Sequence, residues 1–298
     1  MATLVLLEVA LRLLGLACPV LYEPDPAAGY RLQPNQRVTH LGNDIIINAW
    51  GIRDPRDLED RRPETRRILV LGDSVTWGGV ALRQEELFTA RLEHELRDLG
   101  HPTDVLNAGV NGYSVAQMTA LYETHLAGLE PDSVLVYAIP RDFVRSPKTE
   151  LVRHSVVFPM RRPRLALGAA ASLARTQVYR RLDWEWLAPA PVTRPRAGEY
   201  DESAALAENI AAYQRLDRIT GGRSTLLLAP TRGGVGDAAV EQALQAASVP
   251  YTRVGDHLTP HDWEKCFADE VHLTRLGHEA AASAIVEILT ATAAKPLP

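Results

Sequence analysis

The chain has 298 residues, 46% of them hydrophobic, and a net charge of -5. Such a composition excludes global disorder, and the acidic balance argues against nucleic acid as a partner, which favours a basic domain. Two cysteines, Cys18 and Cys266, are too few for a disulfide framework, although one pair stays open.

Residues 1–22, "MATLVLLEVALRLLGLACPVLY", are apolar but interrupted by Glu8 and Arg12. They fall short of the roughly 20 apolar residues a membrane span needs, and they lack the basic start of a signal peptide. In "LGLAC", Gly15 stands where a lipoprotein cleavage box has a larger aliphatic residue. Three readings compete: a helix packed on the domain with Glu8 and Arg12 paired at i,i+4, an interfacial membrane anchor, or the end of a longer span. Cytoplasmic and membrane-associated locations both stay open. Residues 23–66 are rich in Pro and Asn with one short strand-like run. They read as an extended layer wrapping the domain.

From residue 67 the pattern alternates. "RILVLGD" reads as a buried strand bounded by a turn. "QEELFTARLEHELRDLG" comes next as a helix, with Phe88, Leu92, Leu96 and Leu99 at helical spacing and Gly100 as its stop. "TDVLNAGV" is a second strand. "SVAQMTALYETHLAGLEP" places Val115, Met118, Tyr122, Leu126 and Leu129 on one helical face, and "DSVLVYAI" is a third strand. Residues 144–200 interrupt the alternation with many arginines and almost no acid. They read either as a solvated helical face or, functionally, as a lid over the strand ends or a dock for an acidic partner or a membrane surface. Beyond them come helix "ENIAAYQRLDRITGG", strand "STLLLAPTR", helix "AAVEQALQAAS", a short strand within "VPYTRVGD" and a final helix "TRLGHEAAASAIVEILTATAA". Strands alternating with helices predict an α/β fold, a three-layer doubly wound parallel sheet whose ligands bind beyond the carboxyl ends of the strands. The expected organisation is an apolar helix or anchor at 1–22, an extended layer at 23–66 and a catalytic domain at 67–298 with the insertion at about 144–200.

The residues that end the strands therefore carry the chemistry. The first strand stops at Asp73-Ser74, just before a helix whose free N–H groups can stabilise an anion. A serine hydroxyl needs a base, and the base needs an orienting group. "FADEVHLTRLGH" supplies a pair, Asp269 and His272, with i,i+3 spacing that puts both on one side of a turn. The competing reading is a capped helix start with an incidental histidine. His278 is a second base candidate, more easily read as a packing residue. After the second strand, "NAGVNGYS" offers Gly109 and Gly112, where the backbone can approach a ligand closely. No Cys/His spacing resembles a zinc site. His257 and His261 are four apart, but Pro260 breaks the helix that would align them. Neither metal nor cofactor is expected.

Gly72-Asp73-Ser74, "NAGVNGYS" and Asp269-x-x-His272, in that order on a βα chain, resemble the SGNH (GDSL-type) hydrolases over about residues 67–290. The upstream "GYRLQPN…IINAWGIRDP" is similar to the leader of some bacterial members, often preceded there by a membrane span. The resemblance implies a flavodoxin-like sheet, Ser74 as nucleophile, His272 as base and Asp269 as its orienter. It also implies oxyanion donors from the N–H groups of Ser74 and Gly112. Asp73 belongs to the motif without belonging to the triad, and local hydrogen bonding in the turn is its expected task. The sequence departs from the family at its third block, Gly-x-Asn-Asp, which here reads "AIPRD". Arg141 replaces the asparagine that supplies a third donor, while Asp142 matches the aspartate. Losing one such donor costs ~2.7–4 kcal/mol of transition-state stabilisation. Four readings of Arg141 stay open. It supplies the donor; Asn111 supplies it instead; Arg141 holds a substrate carboxylate or phosphate; or it points outward or pairs with Asp142 or another acid.

Three functions stand as alternatives. The first is a serine esterase or acyl hydrolase acting on a small-molecule, carbohydrate or lipid ester. The second is an acyltransferase with a non-water acceptor, its basic segment from Arg145 to Arg181 docking an acidic carrier protein or an anionic glycan. The third is a non-catalytic binding protein that keeps the fold. Nucleotide binding is weaker, because no Gly-rich P-loop with its lysine comes after the first strand.

Overall fold

The structure is a computed structural model and describes residues 2–58, 61–147, 149–151, 157–182, 193–195, 201–232, 237–258 and 263–292. The apolar N-terminal stretch forms helix α1 (Ala2–Leu13), none of whose residues is buried. Glu8 and Arg12 pair across one turn at 2.7 Å, the arrangement of the first reading. Glu8 does more. Its two carboxylate oxygens each accept a backbone N–H, from Ala166 and Leu167, both at 2.9 Å. The N–H groups of Leu167 and Ala166 hold this carboxyl below the usual carboxylate range. Among the described residues no helix is long and apolar enough to cross a membrane.

Residues 23–66 contain more strand than the single expected run. β1 (Tyr22–Asp25) pairs antiparallel with β2 (Gly29–Leu32), and β3 (Gln36–His40) with β4 (Asn43–Ile47). The turns explain why the sequence hid them. Asp25 closes the first hairpin by accepting N–H bonds from Ala27 and Ala28. The second turns through Leu41 and Gly42, both at positive φ, in a loop where Asn-Gly is the usual signal.

β5 (Arg66–Gly72), β6 (Thr103–Gly109) and β7 (Ser133–Ala138) are the expected first three strands of a parallel sheet. Helix α2 (Ser74–Trp77) is a single turn. α3 (Phe88–Asp98) stops one residue before Leu99, which is 57% exposed instead of joining the apolar face. α4 (Val115–Leu121) runs on through a π turn and a 3₁₀ turn, and the predicted stripe stays buried down to Leu129. α5 (Pro140–Val144) comes directly after β7. β8 (Thr149–Leu151) and β9 (Thr193–Pro195) pair antiparallel on either side of α6 (Ala166–Leu182). α7 (Glu202–Ile219), β10 (Ser224–Leu228), α8 (Asp237–Ala246), a two-residue β11 (Thr252–Arg253), α9 (Trp263–Cys266) and α10 (Arg275–Thr292) complete the chain. The sheet order is β6-β5-β7-β10-β11, all parallel, the flavodoxin-like 2-1-3-4-5 pattern.

Side chains alternate across this sheet as the period of 2 requires. Leu69, Leu71, Leu106, Val134 and Val136 join a core with α4, α7 and the N-terminal hairpins. Ile68, Val70, Leu135 and Tyr137 join a second core with α3 and α10. Neither cysteine is in a disulfide. The order places its switch point between β5 and β7, whose carboxyl ends carry Ser74 and Asp142.

Arg53, in the N-terminal layer, is fully buried. Its backbone N–H donates to Asn107 O on edge strand β6 at 3.0 Å. Its guanidinium lies 4.9 Å from the centre of the Trp77 ring and donates to the carbonyls of Trp77, Gly79 and Leu82. Burial lowers its pKa to about 10. One side chain thus holds the loop after α2. Arg53→Met removes the donor from one buried carbonyl, Trp77 O, and from two partly buried ones, Gly79 O and Leu82 O, at ~1 kcal/mol each. We expect it to lower stability by about 3 kcal/mol, read as a shifted urea midpoint. Arg53→Lys restores only part of this, because an ammonium cannot reproduce the planar fork.

Candidate active site

Strand β5 ends at Gly72, and Asp73 caps the next turn. Its Oδ1 accepts the Val75 N–H at 2.8 Å, and its side chain is wholly buried. Ser74 is thereby the first residue of α2, half-buried at the carboxyl edge of the sheet. Gly109, at the end of β6, packs against this turn. A Cβ there would lie 2.2 Å from Trp77 N, so only glycine lets the two backbones meet.

His272 and Asp269 lie in the loop between α9 and α10. That loop is pinned by the Phe267–Leu273 bridge and by the bond from Ala268 N–H to His272 O at 2.8 Å. Asp269 Oδ2 lies 2.7 Å from His272 Nδ1, and His272 Nε2 lies 2.9 Å from Ser74 Oγ. Asp269 Oδ1 accepts the backbone N–H groups of His272 and Val271. Partial burial pushes the Asp269 carboxyl up. The N–H groups of His272 and Val271 and the adjacent imidazole outweigh this and hold it below its ordinary value. An ionised Asp269 accepts from Nδ1–H, so Nε2 faces Ser74 as a proton acceptor. Ser74 Oγ also lies 3.3 Å from Asp73 Oδ2, the longer of its two contacts. The helix-cap alternative for Asp269 does not describe the geometry, since α10 begins at Arg275 and Thr274 Oγ1 accepts the Gly277 N–H.

His278 sits elsewhere. It is buried, stacks on Phe88 and accepts the Phe88 N–H at 3.2 Å. Burial, with the charges of Arg53 and Arg91, lowers its pKa to about 3. It is a packing residue. His257 lies 3.2 Å from Glu287, and His261 is outside the described residues. Among the described residues no cluster of His, Cys, Asp and Glu could hold a metal ion.

Gly112 adopts φ 72, the left-handed region that favours glycine. Among the described residues neither the Gly112 N–H nor the Ser74 N–H has an acceptor. Asn111 is half-buried, and its backbone oxygen accepts the Tyr30 hydroxyl at 2.7 Å. Arg141 is exposed on α5, and its side chain makes no hydrogen bond or ion pair with the described residues, so it is not the partner of Asp142. That partner is Arg145.

By its sequence position Arg145 begins the basic docking segment, but the fold gives it another task. It donates through Nη1 to Asp142 Oδ1, to Asp73 Oδ2 at 3.0 Å and to Tyr113 O at 3.0 Å. Both carboxylates are fully buried. Burial, and then the Asp73 charge, push the Asp142 carboxyl well up. The i,i+3 spacing of Asp142 and Arg145 on a helix is visible in the sequence. The link to Asp73 is not. Of the aromatics after the strand ends, Tyr113 and Phe143 are core residues, and Trp77 is buried at a cavity wall.

By its sheet order the chain is a doubly wound, flavodoxin-like α/β protein. No protein-family model and no curated protein sequence matches it. Among solved structures it is similar to TesA at 18% identity, over 78% of this chain and 100% of that one, with a TM-score of 0.45. A lipase/acylhydrolase from Enterococcus faecalis matches at 14% identity over 76% and 96%, TM-score 0.45. The psychrotrophic esterase EstA from Pseudoalteromonas sp. matches at 13% over 77% and 100%, TM-score 0.46. All three scores lie below 0.5, and what those proteins act on belongs to them.

Arg145→Met leaves two buried carboxyls without their cation. The Asp142 carboxyl, already pushed well up by burial and the Asp73 charge, then loses the cation that opposes this, so the loss of stability grows as pH rises above the carboxylate range and shrinks below it. We expect a loss of ~3–5 kcal/mol near pH 8 and a smaller one near pH 5. Urea unfolding at both pH values checks this, and a pH-independent loss would contradict it.

Proposed function

We propose that the chain is a serine-dependent ester hydrolase working through an acyl-enzyme on Ser74. The observation that carries this reading is the unbroken run of hydrogen bonds from Ser74 Oγ through His272 to Asp269. Ser74 Oγ attacks the ester carbonyl while His272 Nε2 takes its proton. Asp269 holds the imidazole in the tautomer that allows this and stabilises the imidazolium. The tetrahedral oxyanion is received by the Ser74 and Gly112 N–H groups, which have no acceptor of their own among the described residues. His272 returns the proton to the leaving alcohol. It then activates a water molecule that releases the acyl group.

Arg141 is the third contributor in this reading. Its exposed side chain carries a permanent cation at the sequence position of the family's amide, on the helix directly after β7. A binding protein that merely kept the fold would have no need of the Ser74–His272 contact.

A fluorophosphonate probe should label the wild-type protein on Ser74 and leave Ser74→Ala unlabelled. Equal labelling of both would sink the proposal. His272→Ala should lower kcat for a p-nitrophenyl ester by about 10³–10⁴-fold or more. Arg141→Met should lower kcat, and Arg141→Asn should recover part of the loss by supplying an amide donor. Identical rates in all three proteins would place Arg141 outside the oxyanion site.

A further inference from the structure

Three segments far apart in sequence meet around one cavity. The N-terminal segment after α1 contributes Val20 and Tyr22, the stretch from 157 to 173 contributes Pro159 and Leu165, and the catalytic core contributes Trp77 and Asn111. The volume is about 390 Å³. Its inner members, Val20, Tyr22, Trp77 and Pro159, are buried, while Leu165 and Gly168 are exposed at its outer side. The walls are held by specific bonds. Glu8 accepts the N–H groups at the start of α6, and Arg12 Nη2 donates to Arg164 O at 2.6 Å. Tyr22 N–H donates to Pro159 O at 2.8 Å.

The cavity touches the catalytic centre at two residues. Trp77 ends the helix that Ser74 begins, and Asn111 immediately precedes Gly112. Among the described residues the Tyr22 hydroxyl, buried in the same wall, has no hydrogen-bond partner. A cavity lined by Glu64, Pro102 and Thr103 lies instead at the amino ends of the strands. A polar one around Glu241 and Arg253 lies at the far edge of the sheet. The wall chemistry at the first cavity is largely aliphatic, aromatic and proline. Its volume is on the order of a dozen water-sized groups, far more than an acetyl group fills.

We propose that this cavity binds the acyl chain of the substrate, a linear uncharged hydrocarbon of about ten carbons, with the ester carbonyl at the Asn111–Gly112 end. The inference rests on the acyl-hydrolase reading of Ser74 and names its substrate class. Transfer of apolar surface from water drives the binding, so each further methylene that enters the cavity should raise kcat/KM about fourfold.

The test separates the two ideas. Gly168 lines the cavity, and a Cβ added there meets nothing within 4 Å, so Gly168→Trp projects into the space without a backbone clash. Ala169→Phe is the second variant. The first readout avoids catalysis: the Ser74→Ala protein is titrated with cis-parinaric acid and followed by fluorescence. Saturable binding that decanoate displaces, weakened tenfold or more by Gly168→Trp or Ala169→Phe, supports the proposal. Binding indifferent to both variants overturns it. The second readout is the ratio of kcat/KM for p-nitrophenyl decanoate to that for the acetate, within each protein. A ratio well above one that falls in Gly168→Trp supports the cavity. A flat series with labelled Ser74 overturns it and leaves the hydrolase reading standing. Parinarate binding sensitive to Gly168→Trp, in a protein that no probe labels, keeps the cavity and removes the hydrolase reading.

Discussion

Arg145 is the cation on which the candidate site is built. Two carboxylates, Asp73 and Asp142, are buried together at the carboxyl ends of neighbouring strands, and neither could stay there ionised alone. The guanidinium lies between them and also takes the Tyr113 carbonyl after β6. It therefore ties together the ends of β5, β6 and β7, the three strands that surround the switch point. Asp73 spends its other oxygen on the Val75 N–H, so the pose of Ser74 is set by the same charge cluster. Asp142 and Arg141, neighbours on α5, therefore have different environments. The aspartate serves the scaffold, whereas the neighbouring position faces solvent.

The two halves of the site are held differently. Ser74 grows from a buried strand and a turn clamped by Arg53, Asn107 and Arg145. Asn107 donates to Thr76 O at 2.7 Å and accepts the Gly109 N–H. His272 and Asp269 stand on an exposed loop with its own local bonds, their side chains 45% and 52% accessible. Ser74 thus stands on a braced turn, whereas His272 stands on a solvated loop open to water. Regional opening free energies usually track this division, lowest where buried apolar contacts are few.

The N-terminal layer does more than cover an edge strand. Its Arg53 reaches the loop after the nucleophile, and its Tyr30 meets Asn111 beside Gly112. Glu8, further upstream, caps a helix more than 150 positions away. The hairpins, α1 and α6 thus form one wall against the sheet's carboxyl edge. That wall brings an apolar space next to Trp77 and Asn111, beside the candidate site.

The βα alternation, the apolar strand runs and the stripes of α3 and α4 were legible because burial imposes periods of 2 and 3.6 on a chain. The pairing of Asp269 with His272 was legible because it spans a single turn. Their meeting with Ser74 could only be expected through resemblance, since 198 positions separate the partners. The hairpins of residues 23–66 were hidden by turns of unusual composition, Leu-Gly among them, and Arg145 was hidden among arginines that share its neighbourhood but not its environment. Sequence by itself determined the layers, their order and the residue types at the strand ends, because these come from local periodicity and covalent order. Only the tertiary structure decided which arginine is the counter-ion of two buried carboxylates and which is exposed with no side-chain partner among the described residues. Burial is a property of what packs from elsewhere in the chain, and Arg141 and Arg145, one helical turn apart, fall on opposite sides of that division.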